Sequence, residues 1–214
     1  MIAARRSGPA ERRPRRIIAV TGRKQHGKNT VCDVLAEHGF TVIGFADTLK
    51  ALSYAVDPII GISRHGDPIY LAEAVDELGW EYVKENYPEA RRFLQRMGTE
   101  GARKYLGDSV WIDRWAAKVE ALHGGDVAVS DLRYTNEAAA VRAYGGLVWR
   151  VVRPSRVSIT TADAHSSETE LESIVTDHIF INDGSMDDLA AQVEQALCGA
   201  RHLAGNRPGI LGAA

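Results

Sequence analysis

Residues Gly22 to Thr30 read GRKQHGKNT: two glycines with four residues between them, and a lysine directly after the second. That spacing suits a loop whose backbone N–H groups surround a polyphosphate while Lys28 reaches its outer phosphates. Glycines are needed where the backbone passes close to the ligand or takes positive φ. Gly22, Lys24, Gln25, His26, Gly27, Lys28, Asn29 and Thr30 are therefore the candidate phosphate-binding residues, with Lys24 and His26 adding polar or cationic groups at the loop tip. After Lys28 stands Asn29, where the common form of this loop has a hydroxyl for Mg²⁺. Thr30 comes one place later and is available to a phosphate oxygen. Mg²⁺ is then held by phosphates and waters, as its reluctance to dehydrate permits.

Such a loop needs a strand before it and a helix after it, and the flanking residues supply both. RRIIAVTG reads as a short buried strand ending at Gly22, and GKNTVCDVLAEHG places Val31, Val34 and Leu35 at helical spacing before a stop at Gly39. Four more strands are expected in FTVIGFA, DVAVSD, LVWRVVRP and DHIFIND. Helices are expected from TLKALSYAV, EARRFLQRMGTEGARKY, WIDRWAAKVEALHGG, NEAAAVRAYGG and SMDDLAAQVEQALCG. Residues 57–90 are less regular, punctuated by Gly61, Gly66, Pro68, Gly79 and Pro88. Alternating strands and helices argue for a parallel sheet covered on both faces. The expected architecture is α/β, a P-loop NTPase-like three-layer sandwich with about five parallel strands. A helical insertion spans 48–110 and a polar lid segment 154–172. The domain covers 17–198, flanked by an Arg-rich extension at 1–16 and a tail at 199–214.

Composition fits a folded soluble chain: 214 residues, 45% hydrophobic and 25% charged. The formal charge of −2 conceals an asymmetry, because residues 1–16 carry six arginines and one glutamate, net +5, leaving −7 on the rest. Such an arm suits nucleic acid or membrane lipid, but an unstructured N-terminal extension or start-site artefact is the preferred reading, and nucleic acid is not the expected partner. Only IIAV follows the arginines, too little for a secretory signal. No stretch approaches the ~20 apolar residues of a membrane span. Cys32 and Cys198 stand far apart without CxxC spacing, so free thiols in a reducing cytoplasm are expected. DAHSSE (163–168) has residue types that hold metals or act as nucleophiles. However, His165 and Glu168 lack companion ligands, and no Gly-x-Ser-x-Gly elbow presents either serine.

Asp131 closes the buried strand in AVSDLR. Ligands of open α/β sheets sit at those carboxyl ends. Asp131 is thus a candidate to bind Mg²⁺ through water or to accept from a bound nucleotide, with a cap or local salt bridge as the structural alternative. Asp47 ends the second strand in a comparable way.

Five segments in order resemble the phage-type deoxynucleoside monophosphate kinases: GRKQHGKNT, FADTLK (45–50), RRFLQRMGTE (91–100) followed by Trp111, VSDLRYTNEAAAVRAYGG (129–146), and VVRP with DAHSSE and INDGSMDDL across 151–189. The class often carries GKGT in its loop, and GKNT has that shape. The resemblance implies a Mg²⁺- and ATP-dependent kinase that transfers the γ-phosphoryl group to the 5′-phosphate of a dNMP, giving dNDP and ADP. It implies that the insertion lines an acceptor pocket with Asp47, Lys50, Arg91 or Arg92, Gln95, Gly98, Thr99 and Trp111. Asp131, Arg133 and Glu137 would complete that side, with Arg133 on the acceptor phosphate. Arg153, with Arg156, would touch ATP or the transferring group from the lid. Lys28, Arg133 and Arg153 are then the catalytic cations. An arginine fork does grip phosphate by two bonds. Without the resemblance, a solvated helix face accounts for Arg91 and Arg92, and core packing for Trp111.

The expected partners are ATP and a dNMP, with no membrane. Monomer and homodimer are both open, and the location is cytoplasmic, in a host cell if the gene is a phage's. The alternatives are another P-loop small-molecule kinase, such as one acting on dephospho-coenzyme A, and a regulatory ATPase that transfers nothing. A nucleic-acid binder using the Arg-rich arm is a third; its affinity would be salt-dependent and lost with residues 1–16.

Overall fold

The computed structural model describes residues 15–156 and 170–204, with side chains over 15–155 and 170–199. Strand β1 (Ile17–Thr21) is buried at every position and runs through the phosphate loop into α1 (Lys28–Glu37). Then come β2 (Thr41–Val42) and α2 (Asp47–Val56), a hairpin of β3 (Ile59–Ile62) and β4 (Pro68–Tyr70), and α3 (Leu71–Asn86). Helix α4 (Pro88–Gln95) continues as a π-helical segment (Arg96–Arg103) into the single turn α5 (Lys104–Leu106), followed by α6 (Val110–Ala121). The chain finishes with β5 (Val127–Leu132), α7 (Thr135–Ala143), β6 (Leu147–Val152), β7 (His178–Ile181) and α8 (Met186–Ala204).

Five strands form one sheet in the order β2-β5-β1-β6-β7, with every neighbouring pair parallel. Central strands read as unbroken apolar runs because both faces are covered. On one face Val31, Leu35, Val193 and Leu197 of α1 and α8 pack against Val20, Trp149 and Phe180. On the other, Trp115, Val119 and Val141 of α6 and α7 pack against Ala19, Val129 and Val148. Each such side chain contributes about 1.5–3 kcal/mol by burial.

This topology places the site. The chain leaves β1 into α1 on one face, whereas the adjacent β5 leads into α7 on the opposite face. Connections diverging from neighbouring strands open a crevice at their carboxyl ends.

The expected five strands and both helix layers are present, and four local features differ. Residues 57–90 hold a hairpin and a sixteen-residue helix with a small core of Ile60, Leu71, Ala74, Val83 and Ala90. Gly79, at φ 78° and ψ 157°, kinks α3 and breaks its apolar period, and the hairpin strands are only four and three residues long. FTVIGFA pairs as strand only at Thr41 and Val42 before turning at Gly44. Arg16 belongs to the fold and not to the arm: its backbone N–H and Nε donate to the two Asp126 carboxylate oxygens at 2.8 and 2.9 Å, and its guanidinium covers the Phe40 ring. At the other end α8 runs on past Gly199 to Ala204.

Candidate active site

The donor side is built mainly by backbone. The Thr21 hydroxyl donates to Leu132 O at 2.9 Å, tying the start of the phosphate loop to the end of β5, so that Gly22 leaves the sheet beside Arg133. Gly22 has φ 146°, and a Cβ there would stand 2.5 Å from Val151 O; Gly27 has φ 105°, and its Cβ would meet Asn182 Nδ2 at 2.6 Å. Both glycines are required by close approach as well as by conformation. Gln25 also sits in the left-handed region, at φ 62°.

His26, expected at the loop tip, is instead buried. Its Nδ1 accepts the Arg153 N–H at 3.2 Å, and its carbonyl accepts from Asn182 Nδ2 at 2.9 Å. An imidazole with a satisfied ring nitrogen is at home in the interior, and here it anchors the loop to the ends of β6 and β7. Lys28 opens α1, and its Nζ donates to Gly22 O and Arg23 O at 2.7 and 2.8 Å, lying across its own loop. Asn29 is exposed and Thr30 half-buried. At the tip, Gln25 Nε2 donates to Glu85 Oε1 at 3.2 Å, and Lys24 stands 3.7 Å from the same oxygen, so α3 of the insertion reaches the donor loop. Burial works against ionisation of Glu81, but the hydrogen bond and charge of Lys84, backed by Lys50 and Lys28, hold its carboxyl below the usual value.

Two carboxylates meet where β5 ends. Asp131 accepts the N–H groups of Phe45 and Ala46 at 2.8 and 2.9 Å, and Asp47 accepts that of Gly44 at 2.8 Å. A Cβ on Gly44 would lie 2.6 Å from Asp131 Oδ2 and 2.9 Å from Asp47 Oδ1, so only glycine leaves them room. Burial pushes the Cys32 thiol of α1 up to about 12, with the charges of Asp131 and Asp33 adding and Lys28 opposing. Asp131 therefore fixes the turn into α2 and also projects its field onto the donor helix.

The acceptor side is built by side chains. A cleft of about 460 Å³ opens between the π-helical segment and the start of α7, lined by Thr99, Arg103, Lys104, Tyr134, Asn136 and Glu170 among others. Widening the helix to π geometry lets residues four to five apart share a face, which sets Thr99 beside Arg103 and Lys104. The Arg103 guanidinium lies 4.0 Å from the Tyr134 ring centroid and pairs with Glu137 at 2.6 Å. Glu137 also accepts the N–H groups of Arg133 and Tyr134 at 2.9 and 3.1 Å, capping α7. Burial pushes its carboxyl up to about 7, opposed by the Arg133 hydrogen bond and the Arg103 charge, while Asp131 adds to the rise.

Several expected acceptor residues stand elsewhere. Trp111 is 6% exposed and its Nε1 donates to Gly98 O at 3.0 Å, so it packs in the interior and presents no face to a base. Gly98 itself is buried, and a Cβ there would meet Leu49 Cδ2 at 2.7 Å; its role is helix packing. Arg92 pairs with Glu89 on the outer face of α4, and Arg91 is exposed on the same helix; neither lines the cleft. Gln95 is half-buried one turn before Thr99. Arg153 is half-buried beside the loop, its Nε enclosed without a partner among the described residues, whereas the side chain of Arg156 lies outside the described residues. Most of the expected lid, including His165 and Glu168, lies outside the described residues. Sequence reasoning missed Arg103, Lys104, Tyr134, Asn136 and the loop-anchoring Asn182. The two cations were visible only as part of a helical run, GTEGARKY.

The family profile described as "Deoxynucleotide monophosphate kinase" matches residues 80–193, just over half of the chain and most of both walls of this cleft. The chain belongs to the deoxynucleotide monophosphate kinase family. A protein of Acanthamoeba polyphaga mimivirus, provisionally named a member, is 26% identical over 196 residues, covering 83% of this chain and 93% of that protein. The deoxynucleotide monophosphate kinase of Escherichia phage RB69 is 30% identical over 110 residues, covering 50% of this chain and 44% of the phage protein. Among solved structures, dephospho-CoA kinase from Campylobacter jejuni superposes with a TM-score of 0.42 at 16% identity, covering 86% of this chain and 96% of that one. Shikimate kinase from Aquifex aeolicus superposes with a TM-score of 0.41 at 12% identity, covering 87% of this chain and 98% of that one. No helix among the described residues is long and apolar enough to cross a membrane.

Proposed function

We propose that this family member transfers the γ-phosphoryl group of ATP to the 5′-phosphate of a deoxynucleoside monophosphate, releasing dNDP and ADP. The observation that carries the reading is the Thr21–Leu132 junction, which ties the end of β1, where the phosphate loop starts, to the end of β5, from which Arg133 leads to Tyr134 in the cleft lined by Arg103 and Lys104 alongside Asp108 and Glu170. A donor loop and a cleft lined by Arg103 and Lys104 then share one crevice. The acceptor is already an anionic oxygen nucleophile, so no strong general base is required. Catalysis consists of aligning two anions and neutralising their repulsion. Loop N–H groups hold the donor phosphates, Lys28 moves from its carbonyl partners onto them, and Arg153 borders the same loop. Arg133, Arg103 and Lys104 receive the acceptor phosphate, and Lys50 bridges the two sides.

Mg²⁺ suits these residues through hard oxygen donors. Asp131 and Asp47 converge at Gly44, and no group of three or more His, Cys, Asp or Glu able to hold a metal occurs among the described residues. Asp131, through water, and the Thr30 hydroxyl are the groups that would orient the ion, which keeps phosphate oxygens and waters as its own ligands. When bound it supplies charge neutralisation on the transferring phosphates.

The test is coupled ADP release with Mg²⁺-ATP against dTMP, dGMP, dCMP, dAMP and their ribose counterparts, with products identified as diphosphates by mass. Turnover with one or more deoxy acceptors is expected. ADP release indifferent to every monophosphate would overturn the reading in favour of a non-transferring ATPase.

A further inference from the structure

We propose that Glu137 is a positioning residue for the acceptor: its carboxylate fixes the Arg103 guanidinium against the Tyr134 ring so that the cation faces the cleft. The inference rests on the acceptor reading above. Arg103 is 10% exposed and Glu137 4% exposed as side chains, so each needs the other's charge to remain where it is. The remaining hydrogen bond of Arg103, from Nη1 to Asp108 O, is long at 3.4 Å and cannot hold the group alone. Tyr134 covers one side of the guanidinium plane, which leaves the opposite side and the free N–H groups for a ligand anion.

The same carboxylate reaches a second wall. By accepting from Arg133 N and Tyr134 N it also sets the backbone from which Arg133 projects. One buried acid thus orders two arginines that come from segments thirty residues apart in sequence (103 and 133). Neither acid that lines the cleft does this. Glu170 accepts from Thr135, and Asp108 offers its backbone carbonyl to Arg103 and Asn136. A helix cap alone would account for the two N–H bonds but not for an arginine drawn into the interior and laid on an aromatic face.

Steady-state kinetics on the full chain, with Mg²⁺-ATP and the best acceptor of the panel, separates these roles. Glu137→Gln keeps the shape and one accepting oxygen while removing the charge. It is expected to raise the acceptor KM by about 10-fold and leave the ATP KM within about twofold. Arg103→Met raises the acceptor KM by about 100-fold, and in that background Glu137→Gln adds less than about twofold, because its route to the acceptor is already gone. Arg103→Lys, which keeps the charge and loses the planar fork, provides the same cycle if the methionine variant does not fold. Equal factors for Glu137→Gln in both backgrounds, or equal effects on the two KM values, would overturn the inference while leaving the activity standing. Wild-type turnover that ignores every monophosphate would instead remove the activity and this inference together.

Discussion

The two halves of the crevice are made of different material. On the donor side the functional atoms are backbone N–H groups, held by Gly22, Gly27 and a left-handed Gln25 and anchored from behind by His26 and Asn182. On the proposed acceptor side the cleft is lined by side chains from the π-helical segment and the turn into α7, beside the buried Arg103–Glu137 pair. A backbone site tolerates varied side chains but no Cβ at its glycines. A side-chain site tolerates varied backbone but no loss of a charge partner. Substitutions should therefore fail in different ways on the two sides, the donor loop through geometry and the acceptor cleft through affinity for one substrate.

The largest effect is expected where the donor side does use a side chain. Lys28→Ala should lower kcat on the order of 10³-fold while changing the melting temperature little, since its Nζ donates to carbonyls of its own loop. Near-wild-type turnover would break the donor assignment. Next comes geometry. Gly22→Ala sets a Cβ 2.5 Å from Val151 O at φ 146° and should destabilise the fold by about 2–4 kcal/mol in chemical denaturation. Gly66→Ala, with φ 91° but nothing within 4 Å, should cost about 1 kcal/mol. Equal losses at the two would show that close approach to β6 does not shape the loop.

A smaller effect sharpens the acceptor half. The Glu137 carboxyl titrates near 7 in the folded chain and near its ordinary 4.5 in the unfolded one. Between those values the folded state binds the extra proton, so this group's contribution to stability rises as pH falls from 7 to 4.5 and is lost as pH climbs through 7. Thermal melts of the wild type across that window should show the melting temperature falling as pH rises from 4.5 to 7, and Glu137→Gln, which cannot titrate there, should remove that part of the slope. Smallest of all, Trp111→Phe removes one indole hydrogen bond worth about 1 kcal/mol and should leave both KM values within about twofold. A large rise in acceptor KM would return Trp111 to the base pocket.

The same contrast explains what could be read from the sequence. Glycine spacing, the apolar run IIAVT and the helical period of Val31, Val34 and Leu35 announced the donor loop, because backbone constraints leave fixed residue types at fixed offsets. The five-strand sheet followed from the same alternation. Arg103 stayed hidden because nothing local marks a π-helical turn, and because its partner Glu137 lies thirty-four positions away. Arg91 and Arg92 looked equally suitable by type, yet α4 turns them outward. Gly79 concealed α3 by interrupting its period, and the burial of His26 depends on Asn182, which is remote in sequence. Backbone requirements are local and legible; partnerships between distant charges emerge only when the chain is folded.

If the loop and the cleft work across a single crevice, one molecule should span both. Calorimetric titration with a bisubstrate analogue, adenosine joined to a deoxynucleoside through five phosphates, tests it most directly. The account predicts one analogue per chain, bound at least about 100-fold more tightly than ATP or the monophosphate alone, since one tether spans both sites. That advantage should disappear with either Lys28→Ala or Arg103→Met. An analogue bound no more tightly than ATP, and indifferent to Arg103, would show that the two sites do not work together.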